Sequence, residues 1–327
     1  MKLNVSEVQD FMRCRYRWWA KWVMNRVPRV TATPLTVGKL IHSVFEDHLR
    51  DGVPMGDSLV KHRRAFMDEM DKETNPLIVT RGYEALAVVD GLDEALRQWR
   101  DEYKMEYPVI EVEVPFSYPD PEILGLTWVG RPDRVSIHEG KIWHNQIKNL
   151  AAGVNFAVYI DLQQRSYHEH LYAEALFDRY KGGITLPDGD WFHPTEKSVG
   201  GTMFTLVRKL KYRTGVTKNN PEGKVKPLSE MFWQTPMAVD LNSRLHRDVM
   251  DAMRGHARMI LDARYAWDKY QTPPPPNEHM NGGAFGNSPD EYFRVLTGDA
   301  TLDDDTLFMD REDTYNKEED NAEEASA

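Results

Sequence analysis

The sequence predicts a single domain of mixed α/β class, with helices first, a central sheet in the middle and a long helix at the end. Three observations predict it. Apolar residues recur with helical spacing through the first third of the chain and again after residue 160. Between residues 108 and 148 the spacing changes to every second position, which is typical of strands. Hydrophobic residues make up 41% of the 327 positions, enough to bury a core of this size.

The first part of the chain, residues 1–106, is predicted to be helical. Ser6 precedes apolar positions with helical spacing, which predicts a capped helix that continues into the aromatic and basic run at residues 13–19. Prolines mark the breaks between further helices. These helices are predicted at residues 35–49, 57–71 and 79–103.

Residues 107–240 are predicted to hold the sheet. Residues 109–116 alternate between apolar and polar side chains, as a half-buried strand does. The turn at His138, Glu139 and Gly140 predicts a hairpin between two later strands. The other strands are predicted at 126–131 continuing into 133–137, at 141–148, at 201–210 and at 231–239, with a helix at 161–180.

The last part of the domain, residues 241–272, is predicted to be a helix that covers positions 243–270. Four consecutive prolines at 273–276 stop it. Residues 273–327 are rich in Pro, Gly and Asn and then in acidic residues, which predicts a linker and a disordered acidic tail. The domain itself is therefore predicted to span residues 1–272.

Composition excludes several classes of protein. A single cysteine, Cys14, rules out an internal disulfide, a four-cysteine zinc site and an iron-sulfur cluster. No stretch approaches the roughly 18 apolar residues that a membrane-spanning helix needs, and the first residues do not resemble a secretory signal. We therefore expect a soluble, cytoplasmic protein with no membrane partner.

The net charge of −11 is concentrated at the end of the chain. Residues 301–327 hold eleven acidic and two basic residues, a net of −9, which leaves −2 for the rest. Within that rest, seven basic residues lie in positions 1–30 and seven more in positions 205–226. These two basic patches are interpreted either as contacts to a nucleic-acid backbone or as ordinary solvated faces.

A carboxylate, an amide and a lysine are predicted to converge at the hairpin. Asp133 lies at the bend between two strands, and Gln146 and Lys148 share one face of the next strand because strand side chains alternate. A carboxylate suits Mg²⁺ or Mn²⁺, and a lysine can help to deprotonate a metal-bound water. This combination favours phosphodiester hydrolysis, while a turn aspartate and a solvated lysine are the alternative.

Further residues occur in a fixed order around this triplet. Pairs at characteristic spacings are Gly38 with His42, Gly130 with Asp133, Gln146 with Lys148, and Gln163 with Tyr167. Their order resembles the Gly-x-x-x-His, Gly-x-x-Asp, acid-x-Lys and Gln-x-x-x-Tyr motifs of the RecB-type exonuclease branch of the PD-(D/E)XK nuclease superfamily. The similarity covers roughly residues 3–180 and is greatest to bacteriophage nucleases that work beside a single-strand annealing protein.

The resemblance implies a restriction-endonuclease-like core, in which helices flank a mixed central sheet. It implies a metal-dependent DNA nuclease, expected to be an exonuclease, in phage DNA recombination, replication or repair within the host cytoplasm. The implied cofactor is Mg²⁺ or Mn²⁺. The implied partners are DNA and a single-strand annealing or replication protein.

The resemblance also implies roles for individual residues. Lys148 would activate the attacking water, while Gln163 and Tyr167, one helical turn apart, would hold the DNA strand. The implied metal ligands are His42, Asp133, Gln146 and the backbone carbonyl of Ile147. A surface pair with Glu46 is the alternative for His42. Basic residues after a predicted strand are interpreted as phosphate contacts, namely Arg208, Lys209, Lys211 and Arg213.

Gln146 departs from the pattern, because it stands where the family usually has Asp or Glu. Its amide oxygen can still contact a metal, but the site loses one negative charge and its metal affinity should fall. Three explanations remain open: a natural variant that cuts, a protein that binds DNA without cutting, or an acid changed experimentally to its amide. The rival function is accordingly a weakly active or inactive nuclease-fold protein that binds DNA or acts as a scaffold. A metal-dependent enzyme for a small phosphorylated substrate is a third hypothesis.

Two other groups lie close to these motifs. Glu111 and Glu113 are predicted on one face of a strand, and Glu113 is a candidate for a group behind the metal ligands or, alternatively, an exposed strand edge. His168 and His170 flank Glu169 but are predicted to point away from each other on a helix. No role is assigned to either histidine.

Overall fold

The computed structural model describes residues 1–29, 33–102, 109–113, 115–186, 189–215, 223–275, 295, 300–305 and 307–311. Within these residues the chain forms two compact units. Unit 1 comprises Met1–Val30, Pro115–Gly130 and Asp248–Ala327, and unit 2 comprises Thr31–Val114 and Arg131–Arg247. The single domain predicted over residues 1–272 stays a prediction, because periodicity alone does not show which distant segments pack together.

The helices, in chain order, are α1 (Val5–Arg13), α2 (Arg15–Trp18), α3 (Thr33–Asp51), α4 (Met55–Met70), α5 (Pro76–Asp90), α6 (Asp93–Glu102), α7 (Phe156–Gln163), α8 (Tyr167–Tyr180), α9 (Leu228–Met231) and α10 (Arg244–Tyr270). A π-helical segment, Trp19–Val23, follows α2, and a 3₁₀ helix covers Glu196–Ser198. None of the described helices combines the length and the apolar composition needed to cross a membrane.

The strands are β1 (Lys2–Leu3), β2 (Arg26–Pro28), β3 (Val109–Val112), β4 (Phe116–Pro119), β5 (Thr127–Gly130), β6 (Arg134–His138), β7 (Lys141–Leu150), β8 (Ile184–Thr185), β9 (Trp191–Phe192), β10 (Val199–Arg208), β11 (Arg213–Thr214), β12 (Lys224–Val225), β13 (Phe232–Ala238) and β14 (Phe308–Asp310). The mixed α/β class and the helical N-terminal portion predicted from the sequence are therefore confirmed.

Unit 2 is built around a five-stranded mixed sheet with the strand order β13-β10-β7-β6-β3. β7 and β10 run parallel at its centre, and the other neighbours are antiparallel. The predicted hairpin joins β6 to β7 through Glu139 and Gly140, whose φ values of 50° and 66° are those of a two-residue turn. The central sheet is thus mixed, as predicted.

Helices cover both faces of this sheet. Ile147 of β7 packs in one core with Ile41 and Phe45 of α3. Ile142 of β7 packs in another core with Leu176 of α8. Because side chains alternate along a strand, the even-numbered residues of β7 face α8 and the odd-numbered ones face α3.

Several predicted elements are divided in the structure. The helix predicted at 79–103 is α5 and α6, with a turn at Gly91 between them. The helix predicted at 161–180 is the end of α7 followed by α8, because the chain turns where the Ser166 N–H donates to the Gln163 carbonyl. The first helix is capped by Asn4 rather than Ser6, since Asn4 Oδ1 accepts the Glu7 N–H at 2.8 Å.

Two predicted strands are also divided, and each supplies both units. The strand predicted at 109–116 ends at Val112, and Phe116 begins β4 in the three-stranded β1-β5-β4 sheet of unit 1. The strand predicted at 126–137 is β5 of unit 1 and β6 of unit 2, with Pro132 between them. A left-handed residue in the first case and a proline in the second interrupt the ladder.

The predicted disordered tail is partly wrong. β14 pairs antiparallel with β2, and Phe308 is fully buried in unit 1. The guanidinium of Arg26 lies 2.6 Å from Asp305 and 3.0 Å from Asp310, so two of the acidic residues that suggested a solvated tail are paired. The predictions for 276–294 and 312–327 lie outside the described residues.

Candidate metal and catalytic site

Three side chains from different elements meet where β3 ends and β6 begins. His42 of α3, Glu113 after β3 and Asp133 before β6 each place a ligand atom within 4.8 Å of the other two. His42 Nδ1 lies 3.6 Å from Asp133 Oδ1. An imidazole nitrogen and two carboxylate oxygens suit Mg²⁺ or Mn²⁺. Ligands on opposite sides of such an ion lie roughly 4.2 Å apart, so a small movement is enough for all three to bind one cation.

The packing of α3 explains why His42 lies at this site. Ile41 and Phe45 are fully buried between α3 and its neighbours, which fixes the rotation of the helix. Glu46, the alternative partner of His42, instead forms an ion pair with Arg50, with 2.8 Å between Oε1 and Nη1. The nearest carboxylate partner of His42 is therefore Asp133.

Asp133 is tied to the neighbouring strand by a backbone hydrogen bond. The Ile147 N–H of β7 donates to Asp133 Oδ2 at 2.6 Å. This bond occupies one carboxylate oxygen and leaves the other, Oδ1, on the side of His42. It also places Asp133 beside the segment of β7 that carries Lys148, which is the neighbourhood that the motif spacing predicts.

Glu113 reaches the site because the backbone turns at this residue. Its φ of 52° lies in the left-handed region, which a side chain with a Cβ seldom adopts. The turn is held by the Glu113 N–H, which donates to the carbonyl of Asp133 at 3.1 Å. Burial and the charge of Asp133 raise the pKa of Glu113 to about 8, against the opposing effect of Arg131, whose Nε lies 2.9 Å from Glu113 Oε2.

Glu111 lies elsewhere, although the alternation of a strand predicted that it shares a face with Glu113. Its carboxylate accepts hydrogen bonds from Arg179 at 2.9 Å and from the hydroxyl of Tyr180. The prediction is wrong because β3 ends at Val112, so the two-residue period does not extend to Glu113.

Gln146 and Lys148 lie on the face of β7 that α8 covers, as the strand period predicts. Gln146 is only 1% exposed, and its amide nitrogen contacts the imidazole of His168 in α8. Its carbonyl oxygen is buried and has no hydrogen-bond partner among the described residues. Lys148 is half-buried on the same face.

A family model of the PD-(D/E)XK nuclease superfamily matches residues 2–193, which is more than half of the chain. The chain belongs to the PD-(D/E)XK nuclease superfamily. Together with the mixed central sheet and its flanking helices, this match confirms the restriction-endonuclease-like core that the motifs implied. A comparison with curated proteins found no match.

Behind Gln146, this PD-(D/E)XK protein has a buried polar network between the sheet and α8. His144 Nε2 lies 2.6 Å from the hydroxyl of Thr202, which in turn donates to Glu169 Oε2. Burial lowers the pKa of His144 to about 4, so its imidazole is neutral and donates from Nε2. Burial alone would raise the pKa of Glu169, but a hydrogen bond from His168 and the nearby His168, His144 and Lys148 side chains lower it to about 2.

α8 presents His168 and Tyr172 to the sheet. Their rings lie 3.9 Å apart between centroids, and the hydroxyl of Tyr172 accepts the Arg131 N–H at 3.0 Å. Gln163 and Tyr167, predicted one turn apart on one helix, instead end α7 and begin α8. The pair that the sequence analysis missed is His168 and Tyr172. Its signal was the same four-residue spacing of a polar residue and a tyrosine, five positions after Gln163 and Tyr167.

The basic residues at and after the end of β10 differ in their surroundings. Arg208 donates to the carbonyl of Val154 at 3.0 Å, and its guanidinium lies 4.1 Å from the ring centre of Phe156. Lys209 is half-buried, which lowers its pKa. Lys211 is exposed, whereas the side chain of Arg213 lies outside the described part of the structure. Arg208 is thus held by protein contacts that the charge pattern did not predict.

Proposed function

We propose that this protein is a metal-dependent DNA exonuclease that hydrolyses phosphodiester bonds in phage DNA recombination, replication or repair. The observation that carries the proposal is the convergence of His42, Glu113 and Asp133 within 4.8 Å, in a chain of the PD-(D/E)XK superfamily. Asp133 is hydrogen-bonded to β7, the strand that carries Lys148. The ammonium group of Lys148 supplies the remaining positive charge of the site. The donor set therefore fits Mg²⁺ or Mn²⁺.

Each residue of the site has a separate role in the proposed reaction. Asp133 and His42 would hold the cation, together with the backbone carbonyl of Ile147. When bound, it would polarise a phosphate oxygen and make the attacking water more acidic. Lys148 orients the attacking water and helps to remove its proton, and Arg131 neutralises excess negative charge beside Glu113.

The DNA strand requires contacts outside the metal site. We assign them to Gln163, Tyr167 and the basic residues that follow β10, of which the exposed Lys211 is best placed to meet a phosphate. A single-strand annealing or replication protein in the bacterial cytoplasm is the proposed partner. It would receive the single strand that an exonuclease leaves.

A second function is favoured by one observation, the neutral Gln146 in the place of an acid. A site that is short of one charge binds a dication less tightly, and the protein would then bind DNA with weak catalysis or none. This alternative keeps the fold and the DNA contacts but not the turnover.

Digestion of end-labelled linear DNA in Mg²⁺ or Mn²⁺ separates the two functions. We expect progressive release of nucleotides by the natural protein and loss of cleavage in Asp133→Ala. The matched control is Asp161→Ala, since Asp161 is an exposed aspartate of α7. A nicked or gapped circular substrate that is cut internally would make the protein an endonuclease, and DNA binding without cleavage in either ion would select the binding protein.

A further inference from the structure

The acid-x-Lys motif of this chain lacks its acid. Gln146 stands at that position, so the strand that carries Lys148 offers no carboxylate two residues before the lysine. A metal site that keeps its function needs that negative charge from another part of the fold. Among the described residues, the group of possible metal ligands around Asp133 contains one other carboxylate.

Glu113 is this carboxylate. Its ligand atom lies within 4.8 Å of those of His42 and Asp133, and only 12% of its side chain is exposed. The left-handed turn at its own backbone, held by a 3.1 Å hydrogen bond to the Asp133 carbonyl, directs the side chain to the site. Such a backbone conformation is strained in a residue with a Cβ, and it persists where the surrounding structure requires it.

Gln146, in contrast, contacts a side chain of α8. Its buried amide nitrogen contacts Nδ1 of His168, and Glu169 Oε1 lies 3.4 Å from the same nitrogen. Gln146 is therefore part of the polar packing between β7 and α8. A carboxylate at position 146 would instead compete with the ionised Glu169 for the same imidazole nitrogen, which is an unfavourable arrangement for two buried negative charges.

We propose that Glu113 has taken over the ligand role of the missing acid, so that His42, Asp133 and Glu113 hold the cation and Gln146 makes no metal contact. This inference rests on the proposed function, because it concerns the same metal site. It changes the role of Glu113 from a group behind the ligands to a ligand. It also removes Gln146 from the ligand set that the motif implied.

Binding of Mn²⁺ measured by isothermal titration calorimetry, without DNA, tests the inference independently of catalysis. Glu113→Gln should weaken Mn²⁺ binding by about tenfold or more, because an amide replaces the carboxyl group and is the weaker ligand for a hard cation. Glu111→Gln is the matched control, since Glu111 lies two residues away but pairs with Arg179. We expect this control, and also Gln146→Leu, to bind Mn²⁺ within about threefold of the natural protein.

The outcomes separate the inference from the function on which it rests. If Glu113→Gln binds Mn²⁺ as the natural protein does while Asp133→Asn does not, the role given to Glu113 is wrong and the metal site stands. If Gln146→Leu loses Mn²⁺ binding, Gln146 is a ligand and the inference is likewise overturned. If the natural protein itself binds no Mn²⁺, the proposed function fails as well. Circular dichroism verifies that each variant is folded. If Glu113→Gln does not fold, Glu113→Asp replaces it. This variant shortens the side chain by one methylene group, which moves the carboxylate away from the site, and it should also bind Mn²⁺ more weakly.

Discussion

The buried carboxylate of Glu169 gives a quantitative prediction about stability. Glu169 is 1% exposed and lies between Thr202, His144 and His168, each of which is within hydrogen-bonding or ion-pairing distance. Glu169→Gln keeps the size of the side chain and removes its charge. We expect this variant to lower the free energy of unfolding at neutral pH.

The magnitude follows from the pKa. The surroundings lower the pKa of Glu169 from 4.5 to about 2 in the folded protein. At about 1.4 kcal/mol for each pH unit, this corresponds to roughly 3 kcal/mol of stability. The value agrees with the cost of about 3 to 5 kcal/mol that is typical of breaking a buried ion pair.

The sign of the pH dependence is also determined. A carboxyl group that ionises more readily in the folded than in the unfolded state contributes its stability above the unfolded pKa, and the contribution is lost as the pH falls through the folded pKa. The difference between the natural protein and Glu169→Gln should therefore be about 3 kcal/mol at about pH 7 and between about 1 and 2 kcal/mol at about pH 3.

Urea unfolding followed by tryptophan fluorescence and circular dichroism measures this difference at both pH values. Glu174→Gln is the matched control, because Glu174 lies on the same helix and its carboxylate is 2.9 Å from His246, but 19% of its side chain is exposed. It should cost about 1 kcal/mol or less. Equal stability of Glu169→Gln and the natural protein at about pH 7, or a difference that grows as the pH falls, would refute the reasoning.

Two further predictions concern packing. Phe308→Ala should destabilise unit 1 by about 3 to 5 kcal/mol, because Phe308 is fully buried. Met309→Ala on the same strand is the control and should cost less than about 1 kcal/mol, because its side chain is 41% exposed. Equal effects of the two variants in thermal unfolding would show that β14 does not pack as described. Gly201→Ala should destabilise unit 2 by about 2 to 5 kcal/mol, because the φ of Gly201 is 119° and a Cβ would lie 2.4 Å from the Met237 carbonyl oxygen. Gly255→Ala in α10 is the control, and it should be neutral or stabilising by up to about 1 kcal/mol because its Cβ would meet open space. Urea unfolding of both variants measures the difference.

Much of the fold follows from local pattern. The long elements β7, β10 and α10 were predicted to within two residues of their ends. The pair Gln146 and Lys148 was placed on one face because strand side chains alternate. Boundaries failed where a single residue interrupts the pattern, as at Glu113 and at Pro132, because one residue changes the direction of the chain without changing the hydrophobic period.

The site was predictable to the extent that it consists of motifs. The spacing of Gly38 and His42 and of Gly130 and Asp133 pointed to two side chains that the structure brings to 3.6 Å. The neighbourhood of Gln146 was not predictable, because His168 and Glu169 reach it from another element, α8. The contact of Tyr172 with the Arg131 backbone was likewise not predictable, because Tyr172 comes from α8.

The sequence by itself determined the class of fold, the central strands and the position of Asp133 at the bend before β6, since these depend on periodicity and on residue spacing along one or two adjacent elements. Only the tertiary structure decided which carboxylate joins His42 and Asp133, which histidine meets Gln146, and that part of the acidic C-terminal segment is folded. The physical reason is the same in each case. These contacts join residues far apart in the chain, and they depend on the turn of one backbone segment or the rotation of one helix, which a local pattern does not encode.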